Sequence, residues 1–299
     1  MRRAFSAGKW LLPVFILVLA GLIVWLSGGY GLLERWWRGP LSVSGIVWQV
    51  DNPTADISGN WQKLGVDHLL IQWSEVDGAS FVGGPGAAGA KQPDWLQISR
   101  QPWAKHVILG LAGHFGEKQA RQNAVSLARD SAALFQTRLP LNIEGYYFPV
   151  EVDPTWKEAP ETMKAALALL PRPLWISVYD SANIGAKPLA DWLASWLPPD
   201  VGVFFQDGVG VEARSPAVAR EYADALAARL GRKRVKVIVE AFRPKAGGGF
   251  RPATVNELLP QIAAMQGYDI YLFDGPHYLD EHRVDELAAE MKSARHDLR

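Results

Sequence analysis

The feature that most restricts the fold of this chain is a series of eight short apolar runs, spaced about 30 residues apart. Most of them are apolar on both faces, which is typical of parallel strands covered by helices. Each run is followed by a loop and then by a helical pattern, so the chain alternates β and α elements. The runs occupy residues 44–49, 68–73, 106–111, 142–148, 174–178, 202–206, 235–240 and 269–274.

Helix signals fill the segments between these runs. Ser215 is predicted to be an N-cap with Pro216 at the first helical position, and Gly231 is expected to end that helix. Thr254 and Glu257 have the spacing of a capping box, which predicts a helix running towards residue 265. Further helices are predicted over residues 120–137, 160–170 and 280–294.

Alternating units of this kind predict an α/β fold, a (β/α)8 barrel, which typically needs about 250 residues. An open doubly wound sheet is the alternative architecture. No G-x-G-x-x-G follows a run, and the glycine-rich segment 83–89 lacks the Lys-Ser/Thr of a P-loop. We therefore predict no cofactor and interpret segments 83–89 and 245–249 as flexible rim loops. No second domain is expected within residues 43–299.

Composition excludes several classes of function. Lys plus Arg and Asp plus Glu both number 31, so no basic face is indicated and no nucleic-acid partner is predicted. Cysteine is absent, which excludes disulfides, thiolate metal sites and a cysteine nucleophile, and is compatible with an exported chain. Tryptophan is abundant at 13 residues; such rings stack on sugar faces, although ordinary core packing is the alternative.

The amino terminus predicts a membrane anchor. Residues 1–9 are basic and form a predicted cytoplasmic tail, residues 10–27 are nearly continuous in apolar side chains and long enough to span a bilayer, and residues 28–42 are a linker. A cleaved signal peptide is the alternative. The positive-inside rule then places the domain of residues 43–299 in the periplasm, anchored to the bacterial inner membrane by a single pass.

Carboxylates follow two of the predicted strands. The fourth run is expected to end at Pro149, which places Glu151 and Asp153 in the loop beyond it, and the seventh ends at Glu240. Two carboxylates across a barrel mouth could flank a glycosidic bond, one protonated as a donor and one ionised. Arg243 is expected to hold Glu240 ionised by its charge. The alternative is that both glutamates are rim or salt-bridge residues without a catalytic role.

Other chemistries have less support. His114 follows the third run, and Asp274 and His277 lie at the end of the eighth, without the spacing of a ligand set, so no metal site is predicted. No serine lies in a G-x-S-x-G elbow, which argues against a hydrolase triad. Asp207 is a rival for either catalytic role, and its alternative is a turn aspartate before Gly208.

The ordered segments around these runs resemble the barrel family called domain of unknown function 4434, which is grouped with glycoside hydrolase barrels. The similarity covers about residues 43–280. The segments that carry it are SGIVWQ, LLIQWSE, VILGL, EGYYFPVEVD, WISVY, FFQDGVG, VIVEAF and FDGPHYL. Members of that family often have two adjacent carboxylates after the proline of the fourth strand, whereas here the first is Val150 and Glu151 is the second.

The resemblance implies a TIM barrel that acts on, or binds, a polysaccharide. By analogy with retaining barrel glycosidases, Glu151 would be the acid/base and Glu240 the nucleophile. The leading hypothesis is thus a membrane-anchored, periplasm-facing glycoside hydrolase that works beside a polysaccharide synthase or export complex. The predicted sugar-binding residues are Gln49, Gln72, Trp73, Tyr147, Trp156, Gln206, Asp207, Arg243, Asp274, His277 and Tyr278.

Two alternatives remain open. One is a non-catalytic barrel that binds a polysaccharide or oligosaccharide and scaffolds a secretion complex, which the predicted anchor fits equally well. The other is a cofactor enzyme on the same fold, which lacks any phosphate-binding signal in the sequence.

Overall fold

The computed structural model describes residues 41–135 and 137–296. The predicted cytoplasmic tail, the predicted span of residues 10–27 and nearly all of the linker lie outside these ranges. Within them, no helix combines the length and the apolar character needed to cross a bilayer. The membrane anchor therefore stays a prediction.

Eight parallel strands close into a barrel in sequential order, which confirms the predicted (β/α)8 architecture and excludes an open sheet. Each predicted run contains one strand or overlaps it to within a few residues. The strands are β1 Gly45–Trp48, β2 His68–Ile71, β3 His106–Gly110, β4 Ile143–Val152, β5 Leu174–Val178, β6 Val201–Gln206, β7 Val235–Glu240 and β8 Asp269–Phe273.

Large side chains fill the inside of the barrel below its carboxyl-terminal mouth. The Phe204 ring makes edge-to-face contacts with Tyr271 at 4.9 Å and with Tyr147 at 5.7 Å between centroids. Val47, Leu70, Ile108 and Ile238 complete this inner cluster. The interior is thus a packed core rather than a pore, and it forms the floor of the mouth.

Helices cover the outside of the barrel and bury a second, larger apolar cluster against it. In the described residues they are α1 Trp95–Ile98, α2 Glu117–Gln122, α3 Ala124–Leu134, α4 Ala159–Leu167, α5 Ala186–Trp196, α6 Pro216–Leu230, α7 Val255–Ala264, α8 Gly275–Tyr278 and α9 Glu281–His296.

The capping signals of the sequence are confirmed. The Ser215 side chain accepts the Val218 N–H at the start of α6, and Gly231 follows that helix with a positive φ of 96°. At α7, the Thr254 hydroxyl and the Glu257 carboxylate form both halves of the capping box. These contacts satisfy N–H groups that a helix leaves free at its first turn.

Two helical expectations were wrong in detail. The single helix predicted over residues 120–137 is divided into α2 and α3, with Asn123 at the break in a non-helical conformation. The connection between β1 and β2 contains only the 3-10 turn Trp61–Leu64, which ends at Gly65 in the left-handed region. Trp61 is buried there, and its indole N–H donates to Leu279 O at 3.0 Å.

The fourth strand does not end at Pro149, as the sequence suggested, but runs to Val152. Phe148 pairs with Ile176 and Val152 with Val178, so the longer β4 segment bulges away from β5 between these pairs. Pro149, which has no N–H to donate, lies within this bulge. The bulge places Glu151 at the mouth of the barrel while it is still part of the strand.

Short strands form the rim around this mouth. Glu75–Val76, Ala79–Ser80 and Ala112–Gly113 make a small three-stranded sheet, and Phe242–Pro244 pairs antiparallel with Phe250–Pro252. The glycine-rich segment 245–249 is therefore the turn of a hairpin that follows β7.

Candidate active site

Glu151 lies at the mouth within a set of polar contacts from three other elements. Gln206 at the end of β6 donates its amide Nε2 to Glu151 Oε2 at 2.6 Å. The same Nε2 lies 2.6 Å from Ser177 Oγ on β5. Arg121 on α2 donates from Nη2 to Glu151 Oε1 at 3.3 Å and from Nε to the Glu151 carbonyl oxygen at 3.1 Å. These contacts fix the orientation of the carboxyl group.

Burial raises the pKa of Glu151 to about 7, and the nearby negative charge of Glu117 acts in the same direction. The hydrogen bond from Gln206 and the charge of Arg121 lower the pKa and so limit the rise. A carboxyl group with a pKa near neutrality can hold a proton and release it in the physiological range, which is the property required of a general acid.

An open cavity of about 180 Å³ lies over the packed floor of the barrel and includes Glu151. Six of the predicted site residues line it: Gln49, Gln72, Trp73, Tyr147, Glu151 and Gln206. The remaining lining residues are Val47, His114, Phe115, Glu117, Pro149, Ser177, Ile238 and Phe273. The sequence therefore identified about half of this wall, chiefly the part formed by residues at the ends of strands.

The cavity wall offers one unusual polar group. Gln72 Oε1 is buried and has no hydrogen-bond partner among the described residues. An unsatisfied buried acceptor costs free energy unless a ligand or water supplies a donor. Next to it, the Trp73 indole donates to Val50 O at 2.8 Å, and its ring meets the exposed Phe115 edge-to-face at 6.3 Å. The wall thus combines a free acceptor with aromatic surface.

Glu117 and Arg121 were not predicted as site residues. They form an i,i+4 pair on α2, with Arg121 Nη2 3.8 Å from Glu117 Oε2, and both lie beside Glu151. Burial raises the pKa of Glu117, which Arg121 partly offsets. The sequence does contain a signal for this pair. It is an acidic residue in the first turn of the helix after β3, followed by arginine four positions later, and it lies away from the strand ends.

Glu240 occupies a different position from Glu151. It is only 4% exposed and does not line the cavity over the barrel floor. Its Oε2 accepts the Val211 N–H at 3.0 Å, in the loop after β6. Burial and the nearby Asp207 charge raise the pKa of Glu240 to about 8, while Arg214 lowers it in part. Burial, and after it the negative charges of Glu240 and Glu151, raise the pKa of Tyr179.

The expected role of Arg243 is not what the structure shows. Its guanidinium donates to Glu257 O, to Phe242 O and to the Gln261 side chain, and it reaches only the backbone oxygen of Glu240, at 3.4 Å. The guanidinium therefore packs beneath α7 and does not contact the Glu240 carboxylate. It does lower the pKa of Asp207.

Asp207 is fully buried, and its carboxylate accepts hydrogen bonds from backbone N–H groups. It accepts the Val209 N–H at 3.1 Å, the Glu240 N–H at 3.3 Å and the Gln261 amide at 2.8 Å. Burial raises its pKa to about 6 against these hydrogen bonds. These contacts match the turn-residue interpretation of the sequence, and Asp207 does not line the cavity.

Asp274 and His277 form a clamp at the end of β8. Asp274 is fully buried and caps α8 by accepting the His277 N–H at 2.9 Å. The His277 ring lies between Asp274 Oδ2 at 2.7 Å and Asp51 Oδ2 at 3.1 Å. These carboxylates, Asp274 first, raise the pKa of His277 to about 9. The clamp joins the start and the end of the barrel and lies outside the cavity lining.

The last two predicted sugar-binding residues, Trp156 and Tyr278, lie beside the mouth of the barrel. Tyr278 packs against Phe242 of the rim hairpin, with centroids 5.3 Å apart. Trp156 lines a shallow groove of about 600 Å³ beside the mouth, and the Arg121 guanidinium lies over its ring at 5.9 Å. Glu117 lines both this groove and the cavity, so the two concave regions adjoin at this residue. Asp153, beyond Glu151, is buried and accepts N–H groups of Thr155 and Ser181.

The comparisons with known proteins agree with the fold. The sequence matches no protein-family model and none of the curated proteins. Among solved structures, the chain is similar to a protein of Bacteroides thetaiotaomicron provisionally assigned as an α-L-fucosidase, with a TM-score of 0.58 and 15% sequence identity. The similarity covers 87% of this chain and 94% of that chain. The chain therefore shares the (β/α)8 barrel fold of that protein.

Proposed function

We propose that this protein is a glycoside hydrolase and that Glu151 is its general acid. The observation that supports the proposal most strongly is the environment of Glu151, a carboxyl group at the carboxyl end of a barrel strand, in an open cavity, with its pKa raised to about 7 by burial. TIM-barrel enzymes place their catalytic groups at this end of the strands.

The cavity has the chemistry expected for a sugar. The exposed ring of Phe115 offers a face for the C–H side of a pyranose ring, and the buried Trp73 ring packs behind it. Gln72 supplies an unpaired buried acceptor that a hydroxyl group of the sugar would satisfy, and Gln49 adds a second amide. The cavity of about 180 Å³ is smaller than the roughly 300 Å³ of a site for a drug-sized ligand, so we expect it to enclose one sugar unit.

In the reaction, Glu151 would protonate the glycosidic oxygen as the bond to the leaving sugar breaks. Gln206 and Arg121 would then stabilise the carboxylate that remains. Glu240 is the proposed nucleophile in a retaining mechanism, and the Glu151 carboxylate would then take a proton from the water that releases the sugar from Glu240. Because its pKa is raised to about 8, Glu240 must lose a proton before it can attack the anomeric carbon.

We further propose that the barrel acts on an exported bacterial polysaccharide in the periplasm, anchored to the inner membrane through residues 10–27. A neighbouring polysaccharide synthase or export complex would supply the substrate. The charge-free apolar stretch after a basic amino terminus supports this placement.

The test is hydrolysis of a panel of bacterial exopolysaccharides by the full-length chain in detergent, with reducing ends measured against time. Glu151→Gln and Glu240→Gln keep the size of the side chains and remove the carboxyl chemistry. We expect activity on at least one polysaccharide in the wild type and its loss in both variants. Full activity in either variant would refute the role assigned to that residue.

A second function, glycan binding without catalysis, is favoured by the position of Glu240. Its carboxylate is held by the Val211 N–H and does not line the cavity, which also suits a purely structural residue. Polysaccharide binding measured by calorimetry with no turnover between pH 4 and 9 would support this function over hydrolysis.

A further inference from the structure

A cluster of metal-ligating side chains lies at the end of the barrel opposite the mouth. His68 and His106 are the first residues of β2 and β3, and they are direct neighbours in the parallel register of these strands. Their imidazole rings are stacked, with centroids 4.7 Å apart and an angle of 28° between planes. Both side chains are partly exposed, so an ion could reach them from solvent.

A β-bulge adds a carboxylate to this pair. Val107 pairs with Ile143 and Ile108 pairs with Gly145, which leaves Glu144 as the extra residue of β4. Such a bulge re-aims a side chain. Here Glu144 Oε1 lies 2.5 Å from His106 Nδ1, and one ligand atom from each of His68, His106 and Glu144 lies within 4.8 Å of the other two.

The orientation of His68 is fixed by a second carboxylate. Asp67 Oδ1 lies 2.5 Å from His68 Nδ1, which leaves Nε2 of that ring available. A carboxylate on one imidazole nitrogen and a metal on the other is the usual arrangement around protein-bound zinc, because the carboxylate fixes the tautomer and makes the ligand more basic.

An independent observation points to the same place. Tyr271 is fully buried, and its hydroxyl has no hydrogen-bond partner among the described residues. Its ring meets the His68 ring edge-on, with centroids 6.2 Å apart.

We propose that His68, His106 and Glu144 bind one divalent transition-metal ion, of which Zn²⁺ is the best match. Two imidazoles and one carboxylate form a ligand set typical of zinc, with water as the fourth ligand. The ion would replace the direct contact between His106 and Glu144. It would link β2, β3 and β4 at the face of the barrel where conserved contacts serve stability rather than catalysis.

The prediction of no metal site from the sequence concerned His114, His277 and Asp274. These residues lie at the other end of the strands. The proposed site is independent of the glycosidase proposal, because none of its residues lines the cavity at the mouth.

The test is a calorimetric titration of the full-length, metal-free chain with Zn²⁺, using protein without a polyhistidine tag. We expect one saturable site, and a rise of several degrees in Tm at saturating Zn²⁺ because the ion binds only the folded state. His68→Ala and His106→Ala should abolish this site. Asp67→Asn should weaken binding by about 10–100-fold, since Asp67 only orients a ligand.

His282→Ala is the matched control, because His282 is an exposed histidine on α9 far along the chain from the cluster. It should bind Zn²⁺ like the wild type. Glu144→Gln keeps the size of the side chain, so it tests the carboxylate should the alanine variants fail to fold. No saturable binding in the wild type would overturn the proposal, and so would equal affinity and an equal rise in Tm in the wild type and Glu144→Gln.

Discussion

Gln206 Nε2 lies 2.6 Å from Glu151 Oε2 and joins the ends of two strands, β6 and β4, that are not neighbours in the barrel. The bond passes over β5, where Ser177 Oγ lies at the same distance from the amide. A donor fixed on both sides cannot turn away from the carboxyl group. Gln206 therefore influences the pKa of Glu151. Its replacement should change how any activity depends on pH.

Gln206→Met removes the amide and nearly preserves the shape of the side chain. Because the Gln206 hydrogen bond lowers the pKa of Glu151, its loss should raise that pKa above about 7. A general acid works while it is protonated. The alkaline limb in the pH profile of kcat/KM should therefore shift to higher pH by about one unit. A pH–rate profile tests this, with Gln97→Met on α1 as the control, and an unchanged limb would count against the role of Glu151.

Glu117→Gln should have the opposite effect. The negative charge of Glu117 raises the pKa of Glu151, so removing that charge should lower the pKa and move the alkaline limb to lower pH. Glu161→Gln, at an exposed position in the first turn of α4, is the control and should leave the profile unchanged. Shifts of the same sign in Glu117→Gln and Gln206→Met would contradict the electrostatic account of the site.

His277→Asn should change how stability depends on pH. The pKa of His277 is raised from 6.5 to about 9 in the folded chain, so its charged form contributes stability that is fully present below about pH 6.5 and lost as pH rises through 9. We expect a loss on the order of 1–2 kcal/mol at pH 6, reduced by partial exposure, and a much smaller loss at pH 10. The free energy of unfolding, measured by urea denaturation at pH 6 and at pH 10, tests this prediction.

The control for the clamp is His282→Asn, because His282 is exposed and its Nδ1 lies 3.8 Å from Glu286 Oε2. It should leave the free energy of unfolding nearly unchanged at both pH values. A loss in His277→Asn that is equal at pH 6 and pH 10 would mean that packing, and not the charge of the imidazole, accounts for the effect.

Gly210→Ala should displace Glu240. A Cβ atom at Gly210 would lie 2.4 Å from Glu240 Cβ and 2.8 Å from its Oε2, so the two segments must separate. We expect a loss of about 1–3 kcal/mol in the free energy of unfolding. Gly89→Ala meets no atom within 4 Å and is the control, with an expected change within about 0.5 kcal/mol. Equal stability of the two variants in thermal or urea denaturation would contradict this packing.

The barrel could be predicted from the sequence because each of its strands and helices is indicated by residues that are close together in the chain. Each strand is a short apolar run, and signals such as the Thr254 capping box act within one turn of helix. Glu151, Gln206 and Gln72 could be predicted to lie at the mouth in the same way. Each lies at the end of a strand, and the closure of the barrel brings the strand ends together.

What the sequence could not give depends on side-chain direction and on distant partners. Arg243 follows Glu240 by three residues, but its guanidinium turns to Gln261, which lies 18 positions further along the chain. Glu117 reaches the cavity from a helix, so strand ends did not reveal it. The bulge at Pro149 depends on pairing with β5, which no local pattern specifies.

The most direct test of the central claim is a comparison of leaving groups in Glu151→Gln. The substrates are the polysaccharide that the wild type cleaves and an activated aryl glycoside of the sugar it releases. An aryl leaving group needs no proton, so we predict that kcat/KM falls by about 10²–10⁴ on the polysaccharide and far less on the aryl glycoside. Equal losses on both substrates, or full activity on the polysaccharide, would contradict the assignment of Glu151 as the general acid.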